Sequence, residues 1–350
     1  MTEFRDHATT NLLDTGRLTQ YLGEHGRTLT SGQQFQQFAG GYGNWNYLVE
    51  VDGVPMVLRR PPEGQIPQGA NDLAREHSIL SRLNRIYPLA PVSPLYCSEP
   101  SVIGAPFILI EYRRGVVVRA SLPPGFTQTP KARYELAHAA IEALTLLHAA
   151  DPGEAGLDCL GKPEGMLTRQ ARNWTMRAQV AYGGPLPKRV EKIIRYLDAP
   201  TPVAQRVSLL HSDFKLDNLI FDPITQRPIA LIDWDMGTRG DPLFDLATLL
   251  SYWTEPDDHP AMQQLQQMPT ALEGFPSRTR VMQIYADQTG LDMSNFKYYR
   301  VLALYKLVVV FRQLYSKYER REALSEPFQR FGQLSDGLLD FTLSVIAHDH

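Results

Sequence analysis

The sequence predicts an α+β fold in two lobes. A smaller amino-terminal lobe combines an antiparallel sheet with a helix, and a larger, mainly helical lobe follows. Three observations carry that expectation. At 350 residues the chain is about twice the usual length of one domain. Strand-like runs crowd its first third, and long helical patterns dominate the remainder. Between the helical blocks stand short apolar runs that end in acids and amides, as strands do when they deliver polar side chains. With 43% hydrophobic and 21% charged residues, the composition supports a sizeable core.

The elements of the first lobe can be justified in order. Phe38-Ala39-Gly40-Gly41-Tyr42-Gly43 and the run Trp45 to Val51 read as strand, glycine-rich turn, strand. Gly40, Gly41 and Gly43 would let backbone N–H groups approach an anion without obstruction by a Cβ, although hairpins use glycine as freely. The loop lacks the Gly-Lys-Ser/Thr of a Walker A motif, and a strand rather than a helix follows it, unlike a dinucleotide fingerprint. Asp52-Gly53 turns the chain into a strand over Pro55 to Arg60. Its Arg59-Arg60 end suits phosphate contact, the reading we favour over an exposed basic edge strand guarded against aggregation. Asn71 to Leu83 has helical apolar spacing and carries Glu76; Pro106 to Tyr112 reads as a buried strand ending in Glu111-Tyr112.

The lobe boundary is placed near Arg113-Arg114-Gly115, giving lobes over residues 1–113 and 114–350. Helical patterns cover Lys131 to Ala150, Leu167 to Tyr182 and Lys188 to Leu197, with His148 read as packing. The most informative stretch follows. A strand over Val207 to Leu210 leads into His211-Ser212-Asp213-Phe214-Lys215-Leu216-Asp217-Asn218, and a second strand, Leu219-Ile220-Phe221, leads out. The Asp222-Pro223 turn and a third strand, Pro228 to Ile232, deliver Asp233. Acids at strand ends need a reason, because an unpaired one carries a desolvation cost. A helix from Asp245 through Trp253 comes next, and the apolar run Val301 to Phe311, interrupted by Lys306, reads as a buried helix too short to span a bilayer.

His211, Asp213 and Asn218 match the H-x-D-x-x-x-x-N catalytic loop of kinases residue for residue. With Asp233 on the next hairpin, nearly the whole chain resembles the aminoglycoside phosphotransferase and choline-kinase-like branch of the protein-kinase superfamily. The resemblance implies a protein-kinase-like fold and transfer of the γ-phosphate of ATP to a hydroxyl, with magnesium. In that scheme Asp213 orients the hydroxyl and takes its proton, and His211 supports the loop. Asn218 and Asp233 hold the metal. Gly40, Gly41, Gly43 and Arg59 anchor phosphates, with Glu76 as the partner of Arg59. Arg59 stands where protein kinases carry lysine, although Leu58-Arg59-Arg60-Pro61-Pro62 resembles one subgroup of the phosphotransferases. Glu111 and Tyr112 mark the hinge, where main-chain groups would meet adenine. Asp245 resembles the acid that braces the catalytic loop, a position that also suits any acid in a first helical turn. Asp235 either assists the metal or pairs with a nearby base, the reading we favour. Asp-Trp-Asp replaces Asp-Phe-Gly, and no activation segment follows, which argues for a small-molecule acceptor over a protein.

The acceptor is open among aminoglycosides, choline-like amines, sugars and hydroxyacyl thioesters. Glu255, Asp257 and Asp258 form a candidate acidic cluster for a polycation, but read more naturally as a solvated loop. Trp174, Tyr298, Tyr299 and Tyr305 read as core rather than pocket lining. A nucleotide-binding pseudokinase is the competing reading, supported by Arg59, and a protein kinase the third. The formal charge of -3 gives no reason to expect nucleic acid. Cys97 and Cys159 cannot form a disulfide framework, and the first residues lack a signal peptide's apolar stretch. A cytoplasmic protein with no membrane segment is expected. The terminal His348-Asp349-His350 reads as a frayed tail.

Overall fold

The computed structural model describes residues 4–5, 13–39, 44–62, 72–320 and 326–348. It divides into two compact units, one comprising Met1–Gly115, Pro152–Asp158 and Ile229–Gly237, the other Val116–Asp151, Cys159–Pro228 and Thr238–His350. Gly40, Gly41 and Gly43, together with Asn71, lie outside the described residues.

The first unit opens with α1 (Thr15–Glu24), which the sequence reading did not anticipate. Asp14 caps it by accepting from the Arg17 N–H, and Leu18, Tyr21 and Leu22 bury one face. The strands β1 (Gln36–Gln37), β2 (Trp45–Val51) and β3 (Val54–Arg60) follow. Between β2 and β3, Asp52 and Gly53 both take positive φ, 55° and 73°, the backbone of a type I′ hairpin turn. The Asp52 carboxylate accepts from the Thr28 N–H at 2.7 Å and pins this turn. Next come α2 (Leu73–Leu80), capped by Asp72, then β4 (Leu95–Cys97), α3 (Pro100–Ile103) and β5 (Phe107–Glu111). All pairings in this five-stranded sheet, ordered β1-β2-β3-β5-β4, are antiparallel. β3 therefore lies inside the sheet, and Arg59 and Arg60 are buried, so the edge-strand reading of these arginines is overturned. The core on one sheet face joins Leu18, Leu22, Tyr47, Val49, Leu58 and Leu109.

The second unit holds β6 (Val116–Val117), α4 (Pro130–Ala149), α5 (Met166–Tyr182), α6 (Lys188–Leu197), β7 (Ser208–Leu210) and β8 (Leu219–Phe221). After β9 (Pro228–Leu231), which runs on into the first unit, come β10 (Thr238–Gly240), α7 (Leu243–Tyr252), α8 (Pro260–Leu265), α9 (Arg278–Thr289), α10 (Phe296–Glu319) and α11 (Glu326–Ala347). β7 pairs antiparallel with β10, and β6 with β8. Every residue of α7 is buried, as expected of a helix apolar on all sides. Trp174, Tyr298, Tyr299 and Tyr305 are core residues. The solvated-loop reading of the acidic cluster fails: Asp258 and Glu255 both bind Arg278, at 2.5 and 2.7 Å, and only Asp257 is exposed.

Candidate active site

In the first unit, β3 carries Arg59 opposite Asn46 on one side and Ile108 on the other. Its guanidinium would be costly to bury alone, and three acceptors meet it. Glu76, projecting from α2 with a fully buried side chain, lies 3.0 Å from Nε. Asp233 pairs with Nη2. Asn44, with its amide turned to match donors and acceptors, accepts from the same group at 2.8 Å. Burial works against the Arg59 charge, but Glu76, Asp233 and Asp235 together raise its pKa further. Asp235 adds negative charge to the surroundings of Arg59. Burial pushes the Glu76 carboxyl up to about 7, against the pull of Arg59. Glu76 also accepts from the Trp234 N–H at 3.3 Å, which ties α2 to the segment carrying Asp233. Asp233 itself has a left-handed φ of 72°, uncommon for a residue with a Cβ, and its side chain is 38% exposed.

Arg60 has a different task. It donates to the Ile103 carbonyl at 2.7 Å and stacks over Trp45. The Glu111 carboxylate is likewise engaged within its own unit, accepting from the Val92 N–H at 3.0 Å and from Arg113. Tyr112 packs its ring near Phe38, centroids 6.1 Å apart.

In the second unit, the loop after β7 is held from behind by Asp245, in the first turn of α7 and fully buried. Its two oxygens accept from the His211 N–H at 2.6 Å and the Ser212 N–H at 2.7 Å. Backbone N–H groups satisfy this carboxylate as the helix terminus favours its charge. His148, read from sequence as packing, contacts Asp245 at 3.4 Å and Tyr285 at 2.6 Å. The fully buried His211 ring accepts the Asp213 N–H at Nδ1, 3.3 Å away, and so shapes the loop.

Asp213 is the focus. Its Oδ1 meets Lys306 at 3.2 Å, and its Oδ2 meets Lys215 at 3.3 Å and the Asn218 amide nitrogen at 3.4 Å. Burial raises the Asp213 pKa, but Lys306 and then Lys215 hold it well below the usual carboxylate range. Asn218 also donates to the Asp213 carbonyl at 2.8 Å. Its NH₂ is thereby committed inward, which leaves the amide oxygen as an acceptor for a hard cation.

Neither lysine was assigned a role from sequence. Lys215 lies within the matched loop, two residues past Asp213, and stacks over Tyr252 at 5.1 Å. Lys306 left a clearer trace, a lone cation in the otherwise apolar run Val301 to Phe311. A groove of about 550 Å³ also escaped the sequence; it opens beside Phe311, five residues along α10 from Lys306. Gln264, Gln266, Gln267 and Gln333 line it with Arg330 and Phe331, and no carboxylate does. Among the described residues no cluster of three His, Cys, Asp or Glu side chains could hold a metal unaided, and no helix is long and apolar enough to cross a membrane. Cys97 and Cys159 are free thiols.

The sequence model of the phosphotransferase enzyme family matches residues 34–280, a span that includes Arg59, Glu76, Asp213, Asn218, Asp233 and Asp245 but not Lys306. The chain belongs to that family. Its fold is protein-kinase-like: a candidate aminoglycoside phosphotransferase from Ralstonia eutropha superposes with a TM-score of 0.73 at 21% identity, covering 95% of this chain and 99% of the other. A choline/ethanolamine kinase family protein from Mesorhizobium loti gives 0.55 at 16% identity, over 91% and 89% of the two chains. Among curated proteins, the mouse acyl-CoA dehydrogenase family member 10 is 29% identical over 92% of this chain and 30% of its own length. Acyl-CoA dehydrogenase family member 11 of Pongo abelii is 30% identical over 95% of this chain and 43% of its own. The chain thus spans less than half the length of these relatives.

Proposed function

We propose that this phosphotransferase moves the γ-phosphate of ATP to a hydroxyl of a small molecule, with Asp213 orienting the nucleophile. The observation that carries the reading is the Asp213 carboxylate, ionised between Lys306 and Lys215 beside Asn218 in a loop braced by Asp245. The acceptor oxygen forms a bond to the γ-phosphorus, the bond to the β-phosphate oxygen breaks, ADP leaves, and the hydroxyl proton passes to Asp213. A carboxylate of such low basicity accepts that proton late, so its contribution is mainly positional. Asn218 in one unit and Asp233 in the other would each supply an oxygen suited to magnesium, which when bound would neutralise phosphate charge. Arg59 is the cation of the nucleotide side, braced by Glu76, and main-chain groups near Glu111 and Tyr112 would meet the base.

For the acceptor we infer a hydroxyacyl thioester. A polycationic drug would need free acids, whereas Glu255 and Asp258 are taken by Arg278. The groove beside Phe311 presents amides, aromatic surface and Arg330, which suit a neutral or anionic acyl carrier better than a polyamine. Relatives more than twice as long carry the name of acyl-CoA dehydrogenases, and a hydroxyl-bearing acyl-CoA is an acceptor that such a polypeptide has reason to handle.

The test is ADP release and product mass for the purified protein with MgATP and a panel of hydroxyacyl-CoA thioesters, beside kanamycin and choline. Transfer to a thioester, lost at least ~10³-fold in a folded Asp213→Asn variant, is the expected result. Transfer to kanamycin or choline alone would replace the acceptor assignment. MgATP binding without transfer to any compound would favour the nucleotide-binding pseudokinase instead.

A further inference from the structure

Lys306 lies within α10, where its neighbours Leu304, Tyr305, Leu307, Val308 and Val309 are all buried. An ammonium in such surroundings costs several kcal/mol of desolvation unless its donors are satisfied. Its side chain is 5% exposed, and Nζ donates to the Ser212 carbonyl at 2.8 Å as well as to Asp213 Oδ1 at 3.2 Å. Ser212 has a φ of 66°, a conformation that a residue with a Cβ keeps only when its surroundings over-determine it. Here they do: Asp245 on α7 holds the Ser212 N–H, and Lys306 on α10 holds the Ser212 carbonyl. The same ammonium also fixes one oxygen of the adjoining carboxylate.

We propose that Lys306 is a positioning residue for phosphotransfer. It locks the Ser212–Asp213 peptide in its left-handed turn and, with Lys215 and Asn218 on the other oxygen, fixes the orientation in which the Asp213 carboxylate meets the acceptor hydroxyl. Lys215, on the opposite oxygen and 16% exposed, comes from the loop itself and cannot substitute for a clamp anchored in a core helix. The inference rests on the reading of Asp213 given above. It adds that the loop's catalytic geometry is set from α10 as well as from α7.

The experiment is Lys306→Met, which keeps the apolar stem and deletes the ammonium. Amide hydrogen exchange over residues 208–218 should quicken while exchange along α10 stays unchanged. With MgATP and the best thioester of the panel, kcat should fall on the order of 100-fold, the scale of a misplacement of about 1 Å, while the KM for ATP stays within about twofold. A clamp that acted only on stability would leave kcat of the folded fraction intact. Wild-type kcat, or unchanged exchange over 208–218, would overturn the proposal. If Lys306→Met does not fold, the neutral pair Lys306→Met with Asp213→Asn removes the unmatched charge, and its loop exchange is compared with Asp213→Asn alone; equal exchange overturns the clamp. A wild-type protein that phosphorylates nothing in the panel would defeat the phosphotransfer reading, and the exchange rates would still decide the role of Lys306.

Discussion

Glu76 shows how one buried side chain can tie elements together and make stability depend on pH. It is fully enclosed, it meets Arg59 at 3.0 Å, and its carboxyl titrates near pH 7 because burial outweighs the guanidinium. Its folded pKa of about 7 exceeds the ordinary 4.5, so the native state binds the proton more tightly than the unfolded chain. Its contribution to stability is complete below about pH 4.5 and is lost as pH rises through about 7. Between pH 6 and 8 this one group should cost the native state about 1 kcal/mol. Urea unfolding at those two pH values tests it. The wild type should lose stability by about that amount, and Glu76→Gln, which cannot titrate, should show a correspondingly flatter dependence. Parallel slopes in the two proteins would mean that Glu76 is ionised throughout.

At the scale of elements, turns and close helix contacts decide which substitutions the fold tolerates. Gly274 precedes α9 with a φ of 100°, and a Cβ placed there would fall on the backbone of Pro130, the first residue of α4. Neither the conformation nor the contact admits a side chain, so Gly274→Ala should destabilise the protein by about 3 kcal/mol in urea. A loss below about 0.5 kcal/mol would show that the two elements separate easily. Such a contact is invisible in the sequence, where Gly274 is simply the glycine between Glu273 and Phe275. Elements with strong periodicity were legible: α6 runs over Lys188–Leu197 as read, and α4, α5 and β5 shift by only a residue or so. The helix α1 was missed, although Asp14 with Leu18, Tyr21 and Leu22 supplies a cap and an apolar stripe. β4 was missed because three residues hold too little pattern to register. Within the candidate site, the loop from His211 to Asn218 was legible because its spacing is local. Lys306 was not, because its pairing with Asp213 joins positions far apart in the chain and only the fold brings them together.

At the scale of the whole molecule, ligand linkage gives a test that needs no acceptor. A nucleotide that binds only the native state stabilises it by RT ln(1 + [L]/Kd), about 2.7 kcal/mol at a hundredfold excess over Kd. Asp233 pairs with Arg59 through one oxygen and is 38% exposed, which leaves its second oxygen open to a cation accompanying the phosphates. MgATP should therefore raise the Tm of the wild type by several degrees, and ATP with EDTA by much less. In Asp233→Ala the magnesium-dependent part should vanish, measured against that variant's own ligand-free Tm, because removing a partner of Arg59 also lowers the baseline. Asp213→Asn offers the complementary control: it removes the carboxylate proposed to orient the acceptor and keeps Arg59, Glu76 and Asp233. It should retain the MgATP shift while losing transfer. The two variants together separate nucleotide capture from chemistry, and a MgATP shift retained in Asp233→Ala would remove that residue from the metal site.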